Sequence, residues 1–257
     1  MKISIFSFAA NDKFPIDIMY RQYKKYIKED FDFILFNDAG DTQMENSINT
    51  ITNYNNIKTV RVPQNIHKIH NPSDCYANTL NWAIHDYAIK NNSDIVILVH
   101  SDVFPICEIS ILDILGVNTI ASVTEFRIIN GKGINYLYPA LTIVNMKQLK
   151  NVTKLNFGLS PGLDTGGRTR EFIDAHPNEV KFMANHQTSY FLGTLNKEPI
   201  ADYFKDDLVI CRAHGLNAGW IADGFYHYMA GSQWNAGNPI FADGHKKRMD
   251  LFLKYFY

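Results

Sequence analysis

Asp94-Ile95-Val96-Ile97-Leu98-Val99-His100-Ser101-Asp102-Val103-Phe104-Pro105-Ile106 is the stretch from which the fold is read. Its opening, Ile95 to Val99, is an uninterrupted aliphatic run that follows the turn signal Asn91-Asn92-Ser93-Asp94. Such a run reads as a strand buried on both faces, the kind found in the middle of parallel sheets. It ends abruptly in His100-Ser101-Asp102, which puts a carboxylate at the C-terminal end of a central strand. Open α/β sheets bind their ligands there. Pro105 has no N–H for a ladder and is expected to stop the strand.

Working outward toward the N-terminus, residues 71–90 read as a helix. Asn71-Pro72-Ser73-Asp74 is its start signal, with a capping side chain and a proline allowed in the first turn. Tyr76, Leu80, Ala83, Ile84 and Tyr87 form its apolar stripe. Asp74, Asn78, Asn81 and His85 lie opposite and read as a solvated face. Residues 2–8 read as a first strand before Ala9-Ala10-Asn11-Asp12, and residues 16–28 as a helix. Residues 31–36 form a second strand that ends in Asn37-Asp38-Ala39-Gly40. Residues 41–56 are weakly helical, and 58–62 form a short third strand. His67 and His70 follow in a polar loop with no carboxylate or cysteine at ligand spacing, so they read as surface residues.

Toward the C-terminus, residues 108–115 suggest a short helix and 119–123 a strand. Residues 126–129 and 134–138 flank Asn130-Gly131-Lys132-Gly133, a hairpin signal. From about residue 150 glycine and aromatics become denser. Residues 158–167 are a loop by composition, 169–175 a helix, 183–194 ambiguous, and 208–211 a short strand. There is no repeat, low-complexity tract or clear linker. One domain over residues 1–257 is expected.

The order of long helix, buried strand, short acidic motif and aromatic-Pro resembles the donor-binding core of GT-A-fold nucleotide-sugar glycosyltransferases. Their motif is Asp-X-Asp, and here it stands as His100-Ser101-Asp102. The resemblance implies an α/β, Rossmann-like, mostly parallel sheet flanked by helices, with a late antiparallel hairpin. It implies a nucleotide-sugar-binding half (about 1–150) and an acceptor-side half (about 151–257). It also implies a divalent cation, Mn²⁺ or Mg²⁺, held by Asp102 and by a late histidine, His227 in Gly224-Phe225-Tyr226-His227-Tyr228. His100 departs from the first Asp of the motif. Donor contacts are then expected from Ala9, Asn11, Asp38, Asp74, Asn78, His100, Ser101, Gly231 and Ser232. The implied donor is a UDP- or GDP-sugar, and the acceptor is not readable. An inverting enzyme needs a carboxylate to take the acceptor proton. Asp164, in Leu163-Asp164-Thr165-Gly166-Gly167-Arg168, is the candidate, with Glu171 and Asp174 as alternatives. Arg168 or Arg170 suits a phosphate or an acceptor carboxylate.

Each of these residues has a plainer reading. Asp102 caps a turn, Asp38 makes an Asx turn before Gly40, His227 packs among aromatics, and Asp164 is an Asp in a Gly-rich turn. Trp220, Trp234, Tyr226 and Tyr228 suit sugar rings, yet aromatics also build cores.

Composition bounds the rest. With 257 residues, 46% hydrophobic and 20% charged, the chain is an ordinary globular one. A net charge of −1 gives no strong basic field for nucleic acid. No apolar run is long enough for a membrane span. Cys75, Cys107 and Cys211 are scattered and form no metal spacing, which suggests free thiols in a reducing, cytoplasmic compartment. The Ile, Asn and Lys usage suggests a low-GC genome, bacterial or viral.

Two other functions fit parts of the chain. Gly158-Leu159-Ser160-Pro161-Gly162 matches G-x-S-x-G, with Asp206 and His214 after it in hydrolase order. A nucleophile elbow, however, needs a buried strand before Ser160, and residues 152–157 make a weak one. A non-catalytic nucleotide- or sugar-binding protein of the same fold is the other alternative.

Overall fold

The computed structural model describes residues 1–10, 15–67, 71–187, 199–228 and 239–256. Its centre is β4 (Ile95–Val99), in which every residue is buried. Alternation along the strand divides its side chains between two cores. Ile95, Ile97 and Val99 enter one, and Val96 and Leu98 the other. That is why the stretch reads as continuously apolar: both faces of the strand are covered.

Helices pack on both sides. The first core collects Ile16, Met19 and Tyr23 from α1 (Pro15–Tyr26) and Ile48 from α2 (Thr42–Tyr54). The second collects Leu80 from α3 (Pro72–Trp82), Ala83, Ile84 and Ala88 from the π-helical turn Ala83–Ala88 that continues it, and Phe172 from α5 (Thr169–Ala175). Asn71 caps α3 as expected, its side chain accepting from the Ser73 N–H at 3.0 Å.

A seven-stranded sheet joins β1 (Ile3–Ala9), β2 (Phe31–Asn37), β3 (Lys58–Arg61), β4, β6 (Ile120–Ile129), β7 (Lys132–Asn145) and β8 (Val180–Met183). Its order is β3-β2-β1-β4-β7-β6-β8. β7 is antiparallel to both its neighbours, and every other pairing is parallel. The expected α/β sheet with a late hairpin is therefore present. The hairpin turns on Asn130 and Gly131, at φ +50° and +75°, so β6 and β7 are longer than the segments read from sequence.

A second sheet has the order β5 (Val103–Pro105), β11 (Phe225–His227), β10 (Trp220–Ala222) and β9 (Asn185–Gln187). Pro105 does not stop β4. It ends the edge strand β5 opposite Phe225, a place where a missing N–H is tolerated.

Residues 208–211 are not a strand. They lie in α6 (Pro199–His214), which buries Tyr203, Phe204, Asp207, Leu208 and Cys211 at helical spacing. The charged pair Asp206-Asp207 hides that period in the sequence, because Asp207 is itself buried. The last helix, α7 (Pro239–Phe256), adds Met249 and Phe252 to the first core. The short α4 (Ile111–Leu115) follows β5. No described helix is long and apolar enough to cross a membrane.

Ile97 is fully buried between β1 and β7. Ile97→Ala is expected to lower unfolding free energy by about 2–5 kcal/mol in urea titrations. An unchanged midpoint would contradict the packing described.

Candidate active site

At His100-Ser101-Asp102 the chain leaves one sheet and enters the other. The His100 N–H donates to the Ala140 carbonyl of β7 at 3.0 Å, which holds this end of the turn to the large sheet. The Tyr228 N–H donates to the Asp102 carbonyl at 2.9 Å, and His227 sits opposite Val103 in the β5–β11 ladder. Residues 125 positions apart are thereby brought face to face. His227 Nε2 lies 3.1 Å from Asp102 Oδ1. His100 Nδ1 is 3.9 Å from the same oxygen.

Asp102 and His227 are 5% and 2% exposed, so both sit out of bulk water. One ligand atom from each of His100, Asp102 and His227 lies within 4.8 Å of the others, and this is the group among the described residues that could hold a metal. Burial, with His227 alongside, pushes the His100 pKa down to about 4, although Asp102 and Asp164 pull it up. His100 is thus neutral at pH 7, the form that can donate a nitrogen lone pair. His100 Nε2 and His227 Nδ1 are buried with no hydrogen-bond partner among the described residues. Buried polar nitrogens left this way are uncommon and suit a site built for a ligand.

Aromatic rings wall the group. Tyr76 lies 4.9 Å from His100, and Tyr138 lies 5.9 Å from His100 and 6.0 Å from His227. Trp220 is 4.8 Å from His227. Of the aromatics singled out in the sequence, Trp220 lines the site. Tyr226 and Tyr228 face away into the first core, and Trp234 lies outside the described residues.

Asp38 ends up in a bracket. Its Oδ1 accepts from His67 at 2.8 Å and from Gln64 at 3.1 Å, and its Oδ2 accepts from the Thr79 hydroxyl of α3 at 2.7 Å. His67 is therefore no surface residue: its side chain is 4% exposed and pairs with a carboxylate from another loop. Asn37, not Asp38, makes the Asx turn, accepting from the Ala39 N–H at 3.2 Å. Ala9 is buried at the end of β1 and accepts the Asp38 N–H at 2.8 Å. Asp74 and Asn78 are half-buried on α3, and Ser101 is half-buried in the turn. The Asn81–His85 side of that helix is not solvated, because His85 bonds the Leu155 carbonyl at 2.8 Å and Asn81 the Phe157 N–H at 2.8 Å. Asn11, Gly231, Ser232 and His70 lie outside the described residues.

The loop carrying Asp164 is pinned by hydrogen bonds from Gly166 N–H to Phe157, from Arg168 N–H to Gly158, and from the Thr165 hydroxyl to Ser73. Asp164 is exposed, and its charge reaches His100 and Tyr138. Arg168 pairs with Glu171 and Arg170 with Asp174 on exposed flanks of α5. Glu125 was not anticipated from the sequence. It pairs with Arg127 at 2.7 Å on β6, and burial, with the charges of Asp102, Glu125 and Asp164, holds the Tyr138 hydroxyl well above its usual pKa. The hydrolase elbow is not formed. No strand precedes Ser160, whose carbonyl closes a turn with Leu163, and His214 is engaged by Ile240 and Asp243.

No family model and no curated protein matches the chain. Solved structures do match its fold. The galactosyltransferase LgtC, solved with donor and acceptor sugar analogues, gives a TM-score of 0.51 at 11% identity, covering 96% of this chain and 94% of that one. The bifunctional glycosyltransferase WbbM, in its apo form, gives 0.46 at 12% identity, covering 70% of this chain and 38% of that one. The mannosyltransferase PcManGT from Pyrobaculum calidifontis, with GDP-Man and Mn²⁺, gives 0.45 at 8% identity, covering 70% and 54%. This chain thus spans about half or less of the last two proteins. The shared feature is the architecture: the chain has a GT-A fold.

Gly166, at φ +92°, presses its backbone onto β7, where an added Cβ would collide with the Leu137 carbonyl. Gly166→Ala is expected to cost at least about 1–3 kcal/mol of stability. A melting curve that overlays the wild type would show that the loop is not held there.

Proposed function

We propose that this chain is a glycosyltransferase that moves a sugar from a nucleoside-diphosphate donor to an acceptor hydroxyl. One observation carries the reading: Asp102, His227 and His100 converge at the C-terminal end of the central strand of a GT-A fold. The presence of donor and acceptor sugar analogues in the LgtC structure supports it. The residues fit a divalent cation. They offer one carboxylate and two imidazoles, already grouped, with Asp102 and His227 buried. His100 is then a third ligand rather than a lost one. Nitrogen donors of this kind favour Mn²⁺ over Mg²⁺. When bound, the cation would offset charge on the leaving diphosphate.

The chain's own residues do the rest. Tyr76, Tyr138 and Trp220 exclude water from the reacting centre and strengthen its electrostatics. Ala9, Asp38, Asp74, Asn78 and Ser101 border the donor side at the strand ends, with Asn11, Gly231 and Ser232 assigned there from the sequence. Asp38 retains lone pairs for a ribose or base, and UDP- and GDP-sugars are the donors proposed. Asp164 takes the acceptor proton on a carboxylate oxygen if transfer inverts the sugar. The three free cysteines favour a reducing compartment.

A binding protein without catalysis is the second reading, and detectable donor hydrolysis would argue against it. Asp102→Ala is expected to abolish Mn²⁺-dependent binding of nucleoside diphosphate in titration calorimetry, and wild-type affinity would sink the site. Asp164→Asn is expected to reduce transfer at least about a hundredfold, within the range general bases contribute, while sparing donor binding. Retained transfer would remove Asp164 as the base.

A further inference from the structure

His227 lies between two tyrosines, and both are tied to a buried ion pair. Along β11, successive side chains point to opposite faces. His227 faces Asp102 and Trp220, while Tyr226 and Tyr228 face α6 and α7. There Arg248 meets Asp207 through two bonds, Nε to Oδ1 at 2.7 Å and a terminal nitrogen to Oδ2 at 3.0 Å. Both side chains are buried, at 0% and 1% exposure. The Tyr226 hydroxyl donates to Asp207 at 3.0 Å and accepts from Arg248 at 3.1 Å. The Arg248 guanidinium stacks 4.0 Å over the Tyr228 ring, and the Tyr228 hydroxyl donates to the His245 carbonyl at 3.0 Å.

A fully buried ion pair generally adds little stability over apolar residues of the same volume, because desolvation offsets attraction. Its geometry, by contrast, is directional. A bidentate guanidinium–carboxylate contact fixes both groups in one plane. Here that plane holds the residue before the histidine and the residue after it. Helices α6 and α7 thereby set the strand that carries one member of the metal group.

We propose that the Asp207–Arg248 pair is a positioning device. Through Tyr226 and Tyr228 it fixes where the His227 imidazole stands relative to Asp102. The inference rests on the proposed site only in taking His227 as one of its ligands. Supporting residues around metal ligands commonly change metal affinity by 10- to 100-fold.

The test uses the full chain with Asp207→Leu/Arg248→Met, which replaces the pair with apolar side chains, and separately Tyr226→Phe, which deletes only the linking hydroxyl. Two readouts are taken. The first is the imidazole ¹⁵N and ¹³C resonances of His227 without metal, assigned with His227→Gln. The second is Mn²⁺ affinity by titration against the free-ion EPR signal. The double variant is expected to melt within about 5 °C of wild type, yet to shift and broaden the His227 signals and weaken Mn²⁺ binding at least about tenfold. Tyr226→Phe is expected to shift the same signals by less, and it decides the matter if the double variant does not fold. Unchanged His227 resonances in the folded variants would overturn the proposal. If wild type binds no Mn²⁺, the metal reading fails, and the resonances still decide the positioning.

Discussion

A single backbone hydrogen bond, from the Tyr228 N–H to the Asp102 carbonyl at 2.9 Å, marks the constraint on which the rest depends. It begins the pairing of β11 with β5 and so stitches the small sheet to the end of the large one. β4 ends at Val99: the His100 N–H still reaches β7, and the chain then turns, the Val103 N–H donating to the His100 carbonyl at 3.2 Å. That turn supplies two of the three grouped side chains, and the paired strand supplies the third. No loop needs to close for them to meet. The β5–β11 ladder brings His227 opposite Val103, next to Asp102, which makes the group a property of rigid elements.

The energetics of the group also point toward a ligand. Asp102 and His227 are drawn away from water, and a buried ring nitrogen of each histidine has no partner among the described residues. Such burial is unfavourable unless something compensates it. Among the described residues, hydrogen bonds hold the surroundings in place. Thr79 and His67 bracket Asp38 at the end of β2, and Asn81 and His85 fasten residues 155–157 to the helix. Gly166 lets the Asp164 loop lie against β7. Fixed dipoles around a reacting centre need little reorganisation when charge develops, and this is how a protein stabilises a transition state.

Much of the frame was legible in the sequence because it is written in local pattern. The aliphatic run Ile95–Val99, the Asn71-Pro72 helix start and the Asn130-Gly131 turn each imply one conformation from near neighbours. Asp102 and His227 were legible as a pair only through the resemblance to a known motif, since nothing local links residues that far apart. The misread parts share a cause. His67 looked like a loop histidine because its carboxylate, Asp38, comes from another strand end. Residues 208–211 looked like a strand because Asp207 breaks the apolar period, and its partner Arg248 lies on a different helix. His100 looked like a defect in an acidic motif. Only the folded arrangement puts its ring beside both Asp102 and His227. Long-range pairing of polar groups is invisible to periodicity, which reports burial of apolar ones.

A cation held by His100 and Asp102 of this turn and by His227 of β11 would complete the group. Anomalous diffraction from crystals grown with Mn²⁺ and a nucleoside diphosphate tests it most directly. One strong anomalous peak is expected, bounded by these three side chains and the diphosphate. A nucleotide bound with no peak there, or a peak held by other residues, would contradict it.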